Sequence, residues 1–162
     1  MKVGIISLGC AKNRVDSEMI LGALKNAKHQ LTNNPKEADV IFINTCAFIK
    51  DAQVESLNTI MDMMQYQKKI IVTGCFAELF AKEIKRDYPK IDVIPFSKYP
   101  EFTKYLNRYL KDKKDYKLSP YSRCLTTSAN FAYLRIAEGC NNFCSFCAIP
   151  YIRGRYRSRS IA

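Results

Sequence analysis

The apolar positions of this chain alternate between short continuous runs and longer stretches of helical period. Residues 2–8, with Val3, Ile5, Ile6 and Leu8, read as a buried strand that stops at Gly9-Cys10. Residues 16–28 repeat Met19, Ile20, Ala23, Leu24 and Ala27 at three and four, the rhythm of a helix with one buried face. A second strand, 39–44, runs into Thr45-Cys46, and 48–67 forms a long helix carrying Val54, Leu57, Ile60, Met61 and Met64. Residues 69–73 are a third strand ending at Gly74-Cys75, and 76–88 a third helix, broken by Pro89. A short fourth strand at 91–94 and a fourth helix at 100–110 follow. Strands alternating with helices predict βαβ units in a parallel α/β sheet. Strands that are apolar throughout predict cover on both faces. Neither GxGxxG nor GxxxxGK[ST] occurs, which weakens a plain nucleotide-binding reading.

The pattern changes after residue 112. Residues 113–130 are polar and basic, contain Pro120, and read as a linker. They divide a first domain, 1–112, from the start of a second, 131–162, which opens on a strand expected at 131–136. About 30 residues make no domain alone, so this second unit is expected to be incomplete or to be ordered by docking on the first.

Composition narrows the chemistry. The 162 residues are 48% hydrophobic and 25% charged, which is ordinary globular usage and excludes a wholly disordered chain. No apolar run approaches the roughly 20 residues that span a bilayer, and the first apolar run is too short for a signal peptide. A cytoplasmic protein without a membrane partner is therefore expected. Lys and Arg number 26 against 15 Asp and Glu, a net charge of +11, which suits RNA or ribosomal surroundings as well as a lysine-rich soluble surface. Seven cysteines stand beside one histidine. An odd number in this context argues against a disulfide framework, and a multi-ligand metal site must be mostly thiolate. Zinc or iron–sulfur chemistry fits that donor set.

Six of the seven cysteines form two groups. Cys10, Cys46 and Cys75 each follow a strand directly, in SLGC, NTC and TGC. In open α/β sheets, ligands bind beyond the carboxyl ends of strands. With the first strand expected between the other two, three adjacent ends fall within about 10 Å, enough for a cubane. Small residues before each cysteine leave room for a bulky inorganic ligand. The second group is CxxxCxxC, made of Cys140, Cys144 and Cys147 within one loop. Three thiolates so close can wrap one metal centre, and each group leaves a coordination position open.

CxxxCxxC with an aromatic residue, Phe146, just before the last cysteine resembles the radical S-adenosylmethionine superfamily. Both cysteine groups together resemble its methylthiotransferase branch, and the resemblance runs over nearly the whole chain. Ser7-Leu8-Gly9-Cys10-Ala11-Lys12-Asn13, then Val15-Asp16-Ser17-Glu18, is similar to the RimO-type branch that modifies a ribosomal protein. Asn44-Thr45-Cys46-Ala47-Phe48-Ile49, with Ala52 and Glu55-Ser56, fits the same branch. Residues 133–140, YLRIAEGC, and 148–154, AIPYIRG, complete the pattern.

The resemblance implies a flavodoxin-like parallel-sheet domain followed by the truncated start of a radical S-adenosylmethionine partial (β/α) barrel. It implies two [4Fe–4S] clusters and S-adenosylmethionine as cofactors. The cluster on Cys140, Cys144 and Cys147 would cleave S-adenosylmethionine to a 5′-deoxyadenosyl radical, with Phe146 backing the adenine. The radical would take hydrogen from the β-carbon of an aspartate in a small-subunit ribosomal protein. The auxiliary cluster on Cys10, Cys46 and Cys75 would carry the sulfur. An unactivated C–H bond offers no acid–base handle, so a cofactor must supply such chemistry. An electron donor is needed, and RNA contact is compatible with the charge. With the rest of the barrel and its Gly-rich strand lying outside these residues, and no Gly turn at Ile94-Pro95-Phe96-Ser97, the 162 residues alone are not expected to turn over.

Other readings stay open from sequence. A tRNA methylthiotransferase is the nearest, although that branch usually reads GCQMN where this chain has GCAKN. A zinc-stabilised, non-catalytic RNA-binding module is another. A flavodoxin-like electron carrier is a fourth, weakened because Cys10 stands where a phosphate loop needs Ser and Thr donors. Asp16 and Glu18 read as first-turn acids capping a helix, and His29 as a helix-ending cation. Asn13 and Asn44 are placed to donate to cluster sulfides. Cys124 reads as a spare thiol. The basic run Arg153, Arg155, Arg157 and Arg159 reads as a solvated face or as a contact for RNA or the S-adenosylmethionine carboxylate.

Overall fold

In a computed structural model, residues 1–160 are described. Five parallel strands make the sheet: β1 (Lys2–Ser7), β2 (Gln30–Leu31), β3 (Val40–Thr45), β4 (Lys69–Gly74) and β5 (Asp92–Pro95). Their order is β2-β1-β3-β4-β5, the flavodoxin-like arrangement. Helices α1 (Ala11–Asn26), α2 (Lys50–Met64), α3 (Cys75–Asp87) and α4 (Phe102–Leu110) cover both faces, α4 being preceded by a 3-10 turn at Phe96–Glu101.

The alternation of the strands explains the two faces. Ile41, Ile43, Ile70 and Val72 point to one side and pack with Ile60, Ala77 and Ile84. Val3, Val40, Phe42, Ile71 and Ile94 point to the other and pack with Ile20, Leu24, Phe102, Leu106 and Tyr116. Every residue of β3 is buried, which is why its run is apolar without interruption up to Asn44 and Thr45.

Three expectations are corrected. The strand before Cys10 is not central: β3 lies between β1 and β4, because the two-residue strand β2 takes the other edge of β1. That edge strand is too short to leave an apolar run. Helix α1 begins at Ala11, with Cys10 as its N-cap, so Asp16 and Glu18 stand inside the helix and are fully buried. No strand forms at 131–136: among the described residues, the only pairing there is β6 (Ala137–Glu138) antiparallel to β7 (Arg157–Ser158). A parallel barrel strand needs neighbours on its edges, and residues 131–136 have none here, so Leu134 and Ile136 remain exposed.

Residues 113–130 lie as a strap along α1. Cys124 donates its backbone N–H to the Glu18 carbonyl, and the Glu18 carboxylate accepts from the Thr126 N–H and hydroxyl. Gly22 is where the strap crosses, since a Cβ there would run into the Ser122 carbonyl. At one end Tyr116 is fully buried, its hydroxyl donating to Asp112 at 2.6 Å and lying 2.7 Å from His29 Nε2.

His29 is thus a buried partner of the strap, not a capping cation. Burial is the main reason its imidazole is held below the ordinary range; Lys114 and the amino terminus push the same way, against Asp112. The folded protein therefore prefers the neutral ring, while the unfolded chain takes up a proton near the ordinary histidine value of about 6.5. Stability is expected to be at its full value above that pH and to fall as pH drops through it. Urea denaturation at pH 7.5 and 5.5 checks this; His29→Gln should flatten the difference, and an unchanged slope would remove His29 from the account.

Candidate metal centre

The backbone first decides where the three strand-end cysteines go. Thr45 pairs with Gly74 in the ladder, so Cys46 and Cys75 leave β3 and β4 at the same level. Gly9 and Gly74 have φ of +83° and +90°, conformations open to glycine, and these turns place Cys10 at the N-cap of α1 and Cys75 on the first residue of α3. Cys46 is pinned by Ser56, whose hydroxyl accepts its N–H at 3.0 Å and donates to its carbonyl at 2.8 Å. Thr45 Oγ1 donates to the Thr73 carbonyl and accepts from the Ala77 N–H, tying β3, β4 and α3 together.

Cys10, Cys46 and Cys75 line one cavity of about 470 Å³. Its walls are largely apolar: Phe48, Ile49 and Ala52 follow Cys46, while Ile149 and Ile152 come from α5 (Ile149–Arg153). Cys10 is exposed at the mouth, Cys75 half-buried and Cys46 buried. Burial pushes the Cys75 thiol up; Arg153 opposes this and Cys46 adds to it. Among the described residues, no three His, Cys, Asp or Glu side chains converge closely enough for a single metal ion. Three thiols around a wide apolar cavity suit a multi-iron cluster better than one zinc, whose sulfurs must close to about 2.3 Å.

Gly9 keeps that cavity open. A Cβ on it would come within 2.6 Å of Cys46 Sγ, at a φ that side chains rarely adopt. Gly9→Ala is expected to cost about 1–3 kcal/mol of stability and to lower metal uptake in the cavity. Urea denaturation and metal analysis check the two effects separately.

Around the cavity runs a buried polar network that the sequence reading did not identify. Asp16, fully buried, receives Arg153 Nη1 at 2.6 Å and Arg135 Nη1 at 2.5 Å. Glu138 stands 3.2 Å from Arg135 and 3.6 Å from Arg153, and Lys12 reaches Glu138 and the Ala137 carbonyl. Desolvation drives the Asp16 carboxyl up while both guanidiniums pull it down. Arg153 is 4% exposed, so it is not part of a solvated basic face. Its guanidinium lies 4.4 Å over the Phe96 ring and also donates to Asn13 Oδ1 at 2.8 Å.

The two asparagines serve the backbone instead of sulfide. Asn13 Nδ2 donates to the carbonyls of Leu8 and Thr45, and Asn44 Nδ2 to the Asn13 carbonyl and Ser17 hydroxyl. Their donors are spent on bracing the strand ends. One signal in the sequence pointed here: Asn13 and Ser17 share a helical stripe with Ile20 and Leu24. Polar residues on the buried stripe of a helix, beside a strand-end cysteine, mark a braced site.

Cys140, Cys144 and Cys147 lie on the loop between β6 and α5. Cys140 N–H donates to the Gly154 carbonyl and Cys147 N–H to the Cys144 carbonyl. Cys144 is exposed and the other two half-buried. Phe146 is 91% exposed, while Phe143 packs edge-on against Tyr151. Cys124 sits half-buried in the strap, its N–H on the Glu18 carbonyl.

Comparison with known proteins adds three findings. A family model described as "Uncharacterized protein family UPF0004" matches residues 2–95. The ribosomal protein uS12 methylthiotransferase RimO of Aquifex aeolicus (strain VF5) is 50% identical over 162 residues, covering 99% of this chain and 36% of that protein. The proteins of the same name from Clostridium kluyveri and Acetivibrio thermocellus are 47% and 44% identical, covering 99% of this chain and 39% and 40% of theirs. The chain thus spans about two fifths of the length of these curated relatives or somewhat less.

Proposed function

The chain belongs to the UPF0004 family, and we propose that it is the amino-terminal part of a methylthiotransferase acting on an aspartate β-carbon of a small-subunit ribosomal protein. The observation that carries this reading is the cavity where Cys10, Cys46 and Cys75 meet from three strand ends. The names of the relatives support the substrate. The GCAKN wording at residues 9–13 favours the ribosomal over the tRNA substrate.

On this reading Cys10, Cys46 and Cys75 hold an auxiliary [4Fe–4S] cluster, and Cys140, Cys144 and Cys147 hold a second that binds S-adenosylmethionine beside Phe146. When bound, the two groups would supply the one-electron cleavage and the sulfur, and a second S-adenosylmethionine the methyl group, that convert a C–H bond to C–S–CH₃. The chain's own residues do three things. The cysteine thiols lose their protons and would ligate as thiolates. Phe48, Ile49, Ile149 and Ile152 give the auxiliary site apolar walls. Asp16, Arg135 and Arg153 hold the segment bearing the second cysteine group against the sheet. Among the described residues no helix is long and apolar enough to cross a membrane. The protein is proposed to act in the cytoplasm with an electron donor, and its basic surface suits contact with RNA on the ribosome.

Iron, acid-labile sulfide and zinc per chain, measured after anaerobic reconstitution, test this reading. About eight irons are expected, two cubanes' worth. Zinc without iron would replace the reading with a zinc-stabilised RNA-binding module.

A further inference from the structure

Arg153 is carried by α5, six residues after Cys147, yet its guanidinium reaches the base of the other cysteine group. Nη2 donates to Asn13 Oδ1 at 2.8 Å and lies 3.6 Å from Cys75 Sγ. Three further features hold it there: Asp16 at 2.6 Å, the Phe96 ring beneath it, and near-complete burial. A guanidinium does not lose its proton in proteins, so this is a permanent positive charge beside a thiol sulfur. The Cys75 S–H donates to Asn13 Oδ1 at 3.5 Å. Metal binding removes that proton and leaves Arg153 as the donor facing the sulfur.

We propose that Arg153 is a positioning residue that raises the reduction potential of the centre on Cys10, Cys46 and Cys75 by donating to the Cys75 sulfur. The proposal rests on the reading that these thiols hold an iron–sulfur cluster. Reduction adds one electron from a low-potential donor to the cluster, spread over iron and ligand sulfur, and breaks no bond. A fixed positive charge and an N–H aimed at a ligand sulfur stabilise the more negative, reduced form. Because Arg153 belongs to the segment carrying the second cysteine group, the auxiliary centre has this tuning only while that segment is docked.

The test uses the 162-residue chain with Cys140, Cys144 and Cys147 changed to Ala, so that iron is confined to the auxiliary site. Dithionite titration at fixed potentials, read by electron paramagnetic resonance, reports the midpoint. Arg153→Gln is expected to make reduction about tenfold less favourable, a shift of about 59 mV to more negative potential for one electron. Arg153→Lys, which keeps the charge but loses the fork, should shift it less and serves if the Gln variant fails to fold. Arg155→Gln removes an exposed positive charge from the same segment, outside the contacts to Asp16 and Cys75, and should leave the midpoint unchanged. Full iron with an unmoved midpoint in the Arg153 variants would overturn the inference, as would an equal shift in Arg155→Gln. A parent chain that takes up no iron would remove the cluster reading and the inference with it.

Discussion

Asp16→Ala is expected to lower folding stability by roughly 3–5 kcal/mol, the cost of leaving a buried opposite charge without its partner. The carboxylate is fully buried and is the common acceptor for Arg153 and Arg135. The intact cluster of charges need contribute little net stability, because desolvation offsets much of its Coulomb energy. Breaking it is different. Arg153 at 4% exposure cannot return to water without moving α5, and Glu138, 3.6 Å away, belongs to the same segment and cannot anchor it to α1 as Asp16 does. The loss should therefore fall first on residues 131–160, whose amide protons should exchange faster while those of β3 stay protected. Asp16→Asn, which keeps hydrogen bonding, should lose less. Urea denaturation with hydrogen exchange decides the matter; an Ala variant within about 0.5 kcal/mol of the parent would mean that the segment is held by other contacts.

Cys46→Ala is expected to remove about four of the roughly eight irons and their sulfide, and about half of the visible absorption. Cys46 is the buried thiol of its group and lines the same cavity as Cys10 and Cys75, so on the proposed reading two thiolates would remain for a cluster held by three. Cys140→Ala should remove the other half, and the double variant nearly all. Cys124→Ala should change nothing, since that thiol belongs to the strap. Iron and sulfide analysis of the four proteins measures this. Equal iron in the parent and Cys46→Ala would place the metal elsewhere.

Much of the architecture was legible because burial on both faces writes itself as uninterrupted apolar runs. β3 and β4 are fully or nearly enclosed, and their sequences announce strands without ambiguity. β2 was not legible: two exposed residues, Gln30 and Leu31, carry no period, yet they alone move β3 to the centre of the cysteine-bearing trio. The start of α1 was misread for a related reason. Residues 11–15 are partly polar, so the apolar period becomes visible only from Met19, although the helix begins directly after Cys10.

The same contrast holds at the site. The cysteine spacings, the turn glycines and the alternation of strand and helix are local properties, so the sequence by itself determined the α/β class, the two thiol groups and their association with strand ends and a loop. Partnership between distant charges is not local. Asp16 and Arg153 are separated by 137 positions, and each has an ordinary local explanation, a helix cap or a basic run. Only the tertiary structure decided that they are buried against each other. Once docking removes water from both, a charge that a solvated surface would screen must find its opposite within hydrogen-bonding distance.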